Sequence, residues 1–239
     1  MKIKQFFYAS LICFAADSAV IAQNSGSTRD EPDSVMGFFV TSRGMGKGGD
    51  LGGLKGADTH CQKLAEEAGA GARRWRAYLS TSATDKEPAV NARDRIGLGP
   101  WSNYDGEFIA RNASELDETG KTIWEISASP LKDVNNVNAE FALTERGQRV
   151  TPLTGAGGMH NILTGSRPDG TAYHVGRNLT CNNWTSNDAM GAVQVGHVDR
   201  AGNGPNAKSW NAAEIIEGCS QAKLTEGESG GLFYCFAEI

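Results

Sequence analysis

Apolar positions gather toward the two ends of the folded part of the chain and thin out between them. Gly37-Phe38-Phe39-Val40-Thr41-Ser42 reads as a buried strand. A glycine-rich bend, residues 43–56, follows it. Ala57, Cys61, Leu64, Ala65 and Ala68 then recur at helical spacing, with Glu66 and Glu67 off that stripe. Gly69 and Gly71 stop this helix. Residues 75–80 predict a second strand, and residues 91–96 a short helix that Asn91 could cap. From Leu98 onward Gly, Asn, Asp and Ser are frequent, with apolar islands at Ile123-Trp124-Glu125-Ile126 and Phe141-Ala142-Leu143. Residues 231–237 predict the last strand. The pattern is α+β: early helices, strands at both ends, and a long loop-rich middle.

The first residues read as an address. A basic start, Met1-Lys2-Ile3-Lys4, precedes a mostly apolar run, and small residues stand near Ala22. The expectation is a secretory signal over residues 1–22, a polar flexible leader over 23–36, and one domain over 37–239. The apolar run is too short for a membrane span. The chain is therefore expected to be exported, to the periplasm, cell surface or medium, and not to span a membrane. Its formal charge of -5 and scattered basic residues argue against nucleic acid as a partner. Beyond Cys13, four cysteines remain: Cys61, Cys181, Cys219 and Cys235. An even number in an exported chain predicts disulfides, and spacing leaves all three pairings open. No close C-x-x-C pair suggests structural zinc.

Catalytic and cofactor signals are sparse. Gly44-Met45-Gly46-Lys47-Gly48-Gly49 matches G-x-G-x-x-G, but no helix opens at its third glycine, so it reads as a loop. The histidines are His60, His160, His174 and His197. His197 and Asp199 alternate and could share a strand face, yet no third ligand is marked, so no metal site is expected. Serine-nucleophile motifs are missing. With its cysteines paired, the domain has no thiol for attack.

Several short motifs occur in a recognisable order. Phe39-Val40-Thr41-Ser42 precedes the helix with the first cysteine. Tyr104-Asp105-Gly106-Glu107-Phe108 forms a "DG" turn, and residues 164–170 form a "GS-x-P-x-G" loop. Cys181-Asn182-Asn183-Trp184-Thr185 gives "C-x-x-W". Gly218-Cys219-Ser220 and Leu232-Phe233-Tyr234-Cys235 supply the closing cysteines. In this order the chain resembles the C-type lectin-like superfamily, and within it the endostatin-like domains of collagens. It is similar also to bacterial exported lectin-like proteins. The resemblance covers most of residues 38–239.

The resemblance implies a C-type lectin-like fold with short helices, small antiparallel sheets, a long loop region and two nested disulfides, Cys61–Cys235 and Cys181–Cys219. It implies function in the long loops. Calcium-dependent members use an oxygen ligand beside a cis-proline and then a Trp-Asn-Asp stretch. Here Arg167-Pro168-Asp169 and Trp210-Asn211-Ala212 lack those oxygens, so calcium is disfavoured and no cofactor is expected. The expected function is a non-catalytic module binding a glycan without calcium. Trp184 and Trp210 would stack on sugar faces; Asp169, Asn182, Asn183, Asn187, Asp188 and Asn211 would bond hydroxyls. Trp184 could instead cover a disulfide, and Trp210 is expected to be the more exposed. The alternatives are an endostatin-like module for an extracellular protein or matrix partner, and an enzyme like those that generate formylglycine. The second alternative needs a free cysteine or a metal.

Overall fold

A computed structural model describes residues 36–119, 135–150, 158–173, 178–202, 204 and 206–239. The island at residues 123–126 and His174 lie outside them. The unit spanning Pro32–Ile239 is mixed α+β with small antiparallel sheets. Strand β1, Phe38–Val40, leads through the glycine-rich bend to helix α1, Gly53–Glu67. Strand β2 is Trp75–Ala77, and β3 (Trp101–Ser102) pairs with β4 (Phe108–Ala110). A helical turn, α2, covers Ala113–Leu116. Strands β5 (Asn161–Leu163), β6 (Ala192–His197) and β7 (Glu214–Glu217) form a second sheet in that order. Helix α3, Gln221–Glu226, precedes β8, Tyr234–Ala237.

Strand β8 lies between β1 and β2, antiparallel to both. Both its faces are buried, as the side-chain alternation of a strand then requires. On one face Cys235 and Phe39 pack with Ala57, Cys61, Leu64 and Ala65, the apolar stripe of α1. On the other, Phe38, Val40, Tyr234 and Phe236 pack with Tyr78, Trp101 and Trp210. The aromatic rings there meet at several angles, Trp101 and Phe236 edge-on at 5.2 Å, Tyr78 and Trp210 tilted at 4.7 Å, and Phe38 and Tyr234 stacked at 5.8 Å. Among the described residues no helix is long and apolar enough to cross a membrane.

The cysteines pair in the nested manner, Cys61 with Cys235 and Cys181 with Cys219. The first bond joins α1 to β8. The helix is further tied to β2 through Asp58. Its carboxylate accepts both guanidinium contacts from Arg95 Nη2 at 2.8 Å, one from Arg76 at 2.8 Å, and the Ala77 N–H at 2.9 Å.

Several expectations need adjustment. Met36, assigned to the leader, is buried, and the residue pairs with Ser102 as a bridge, so the ordered chain starts earlier than residue 37. Strand β2 stops at Ala77 because the next N–H groups change partner: Tyr78 N–H still reaches Tyr234, but Ser80 N–H bonds Thr164 in the second-sheet region. The helix expected over 91–96 is a 3-10 turn, Ala92–Arg95. Asn91 does not cap it; its carboxamide accepts from Ala172 N–H and donates to Asp94.

Replacing Cys61 and Cys235 together by alanine is expected to destabilise the protein by about 3–5 kcal/mol, because the bond closes the longer loop, 174 residues against 38. Denaturant unfolding would check this; a smaller loss than for the Cys181/Cys219 double replacement would contradict it.

Candidate functional site

The second sheet and the loops around it bring together the two stretches singled out for ligand contact. Asn211 joins them. Its Nδ2 donates to the carbonyls of Arg167 and Pro168 at 3.1 and 3.3 Å and lies 3.2 Å from the Tyr78 hydroxyl. Its Oδ1 accepts from Ser209 Oγ at 3.0 Å. Asn211 is fully buried and its carboxamide is engaged on both sides, so it presents nothing to a ligand. Gly196 makes the arrangement possible: a Cβ there would stand 1.8 Å from the Trp210 carbonyl oxygen.

Trp210 corrects the sequence reading. It is fully buried, against the expectation of an exposed platform. Its ring fills the aromatic core, its Nε1 donates to the Leu116 carbonyl at 3.1 Å, and its own carbonyl accepts from the Tyr234 hydroxyl at 2.9 Å. A tryptophan with both its area and its N–H satisfied inside cannot stack on a sugar.

Trp184 is likewise fully buried, in the core cluster that holds both disulfides, with its Nε1 bonded to the Ser80 carbonyl at 2.8 Å. It covers the core and offers no face to a ligand. Around it Cys181–Trp184 forms one turn in which all four residues have positive φ, 46°, 56°, 55° and 67°. L-residues enter this left-handed region at a cost of about 1–2 kcal/mol each. The turn is held from several sides: the Cys181–Cys219 bond, the buried Trp184 ring, and Asn183. Asn183 Oδ1 accepts from Ser82 N–H and Thr180 Oγ1, both at 2.9 Å, and its Nδ2 donates back to the Ser82 carbonyl at 3.0 Å. Asn183 is thus a clamp for the backbone, another correction to its expected sugar-bonding role. Asn182 is exposed and donates to Thr185 Oγ1. Asn187 and Asp188 remain on the surface, Asp188 accepting from Ser186 Oγ.

Asp169 is partly exposed in the 164–170 loop. Burial would raise its pKa, but the Thr171 hydroxyl and N–H, with the charges of Arg93 and Arg167, outweigh that and hold it below the usual carboxylate range. Behind this loop lies a groove of about 310 Å³ lined by Pro168, Tyr173, Gln194, Asn206, Ala212 and Glu214. The half-buried Tyr173 donates its hydroxyl to Gln194 Oε1 at 2.9 Å. Burial raises the Tyr173 pKa, so the phenol stays neutral and keeps its donor. Tyr173, Gln194 and Glu214 escaped the sequence reading.

At one end of the same sheet stands a cluster of imidazoles and carboxylates. Asn161 and His197 are cross-strand partners in β5 and β6. His160 precedes Asn161, and its carbonyl accepts from Val198 N–H at 2.9 Å, so His160, His197 and Asp199 are forced together. One donor atom from each lies within 4.8 Å of the others. The rings of His160 and His197 stack with centroids 4.6 Å apart. His160 Nδ1 is 3.3 Å from both Asp199 oxygens, and its Nε2 is 3.2 Å from Glu228 Oε2. The Asp199 hydrogen bond raises the His160 pKa, against an opposing effect of burial. Burial would raise the Asp199 pKa in turn, but His160, the Ala201 N–H and the nearby His197 lower it overall. The third partner of His197 and Asp199, unmarked in the sequence, is His160; only strand register could have found it.

No known family model matches this chain, and no curated protein matches it either.

Asn183→Ala is expected to cost about 2–4 kcal/mol, from lost hydrogen bonds and an alanine forced to positive φ. Asn182→Gly, at an exposed left-handed position, is expected to stay within about 1 kcal/mol of the parent. Paired thermal melts decide this; equal losses at both positions would show that the clamp is not what holds the turn.

Proposed function

We propose that the protein is an exported, non-catalytic binding module of the C-type lectin-like class, and that it holds a glycan without calcium in the groove beside the 164–170 loop. The observation that carries this reading is the junction made by Asn211. It seats the Trp210-Asn211-Ala212 stretch against Arg167-Pro168, where the resemblance puts the ligand loops, and an open groove borders both. The nested disulfides support the class. A glycan needs a flat apolar face beside a few hydrogen-bonding groups. Tyr173 supplies the face and the exposed Asn206 and Glu214 supply the polar groups, while Gln194, buried and bonded at both ends of its carboxamide, holds the Tyr173 hydroxyl in place. This replaces the tryptophan platforms, which are buried. The lack of calcium follows from the donors: Asn211 Oδ1 is bonded to Ser209, and alanine stands at 212. The four described cysteines are all in disulfides, which supports a non-catalytic reading over thiol chemistry.

The test is binding of the oxidised protein to a broad glycan array, with calcium, with chelator, and with calcium restored. Binding is expected to persist in chelator. Tyr173→Ala should weaken it by about ten-fold, roughly the 1.4 kcal/mol of one lost stacking contact, while Tyr173→Phe, which keeps the ring, should bind nearly as the parent does. Signal that vanishes with chelator and returns with calcium would overturn the calcium-free reading. Silence under all conditions would transfer the groove to a protein partner.

A further inference from the structure

The histidine–carboxylate cluster lies at the end of β5 and β6 and is independent of the glycan reading. His197 is 4% exposed, and its two nitrogens differ. Nδ1 lies 2.9 Å from the Ala207 carbonyl and within reach of the Ala201 carbonyl, so it carries the proton and donates. Nε2 is then a bare lone pair. It is buried and has no hydrogen-bond partner among the described residues. Glu214 Oε1 stands 3.8 Å away, too far for a hydrogen bond. A buried lone pair with nothing to accept is costly unless something fills its place.

His160 shows the complementary arrangement. Its Nδ1 faces Asp199 at 3.3 Å, and two ligands of a tetrahedral ion with bonds of about 2.0 Å stand about 3.3 Å apart. Its Nε2 faces the Glu228 carboxylate at 3.2 Å. A carboxylate or carbonyl on the far nitrogen is the arrangement that orients metal-bound histidines, and both rings have one. The surrounding carboxylates of Asp199, Glu214 and Glu228 draw a cation. His160 and Asp199 side chains keep 21% and 17% exposure, so an ion can reach the site.

We propose that His160 Nδ1, His197 Nε2 and the Asp199 carboxylate bind a divalent first-row transition ion, zinc, with Glu214 or water completing the shell and Glu228 orienting His160. Two imidazoles select against calcium and magnesium, which prefer all-oxygen shells. Glu214 also lines the groove beside the loops, so the ion stands at the groove wall.

The experiment is zinc titration by calorimetry on the full chain, both disulfides formed, no histidine tag, previously stripped with chelator. Cobalt(II) serves as a spectroscopic probe, with calcium and magnesium as controls. The expected result is one zinc per chain at micromolar concentration or below, the visible bands of four-coordinate cobalt, and a higher melting temperature with zinc. His160→Ala and Asp199→Asn should each weaken zinc binding by more than about ten-fold, and Glu228→Gln by about 10–100-fold. His60→Ala, on α1 and away from the cluster, should leave it unchanged. His197→Ala could unfold the turn that its Nδ1 holds, so the His160 and Asp199 variants carry the test. No saturable uptake at micromolar zinc overturns the proposal, and so does uptake that survives both His160→Ala and Asp199→Asn in folded protein.

Discussion

Strand β8 is hydrogen-bonded along both edges and buried on both faces, and the two core clusters of the described residues are arranged on either side of it. Its odd positions face α1 and carry the disulfide to Cys61; its even positions face the aromatic core. A strand buried on both sides tolerates neither a polar substitution nor a shift of register, since one residue of slip would exchange its faces. The second sheet joins this centre through the Leu163–Phe233 bridge, and the aromatic core extends to Trp210. The loops that border the groove are therefore anchored from beneath by the same strand. Their irregular backbone has a rigid base.

Legibility in the sequence followed the kind of interaction involved. The α1 stripe and the apolar run ending in Ala237 are local periodicities; the stripe stands where the pattern put it, and the last strand, expected over 231–237, is the shorter Tyr234–Ala237. The disulfide pairing came from a resemblance in motif order; cysteine spacing by itself left three possibilities. What failed was the assignment of side chains in the irregular region. Trp184 and Trp210 sit among Asn, Ser and Asp, a neighbourhood that suggests exposure. Yet a loop-rich domain with short strands needs large rings from its loops to complete the core, and both tryptophans do that. Asn183 and Asn211 mislead for a related reason. Long irregular segments leave many backbone groups without sheet or helix partners, and asparagine carboxamides satisfy them.

The histidine cluster illustrates the limit of reading along a chain. His197 and Asp199 are neighbours by alternation, so their pairing was visible. His160 joins them through the Asn161–His197 register, a long-range relation that no local pattern encodes. The Cys181–Trp184 turn is similar. Nothing in Cys-Asn-Asn-Trp announces four consecutive left-handed residues; the disulfide, the buried ring and the Asn183 clamp impose them from outside.

The position of β8 between β1 and β2 also governs how fast the molecule can form. Phe39 meets Cys235, and Ala77 meets the same residue, across most of the domain's length. The pairing of either edge strand with β8 needs that distant segment, so loop-closure entropy must be overcome before this sheet forms. Chains with such non-local pairing fold slowly and leave apolar strands unpaired in the interval. Both outer strands share one distant partner, and the speed of folding is set by this topology more than by the strength of any contact the native structure contains.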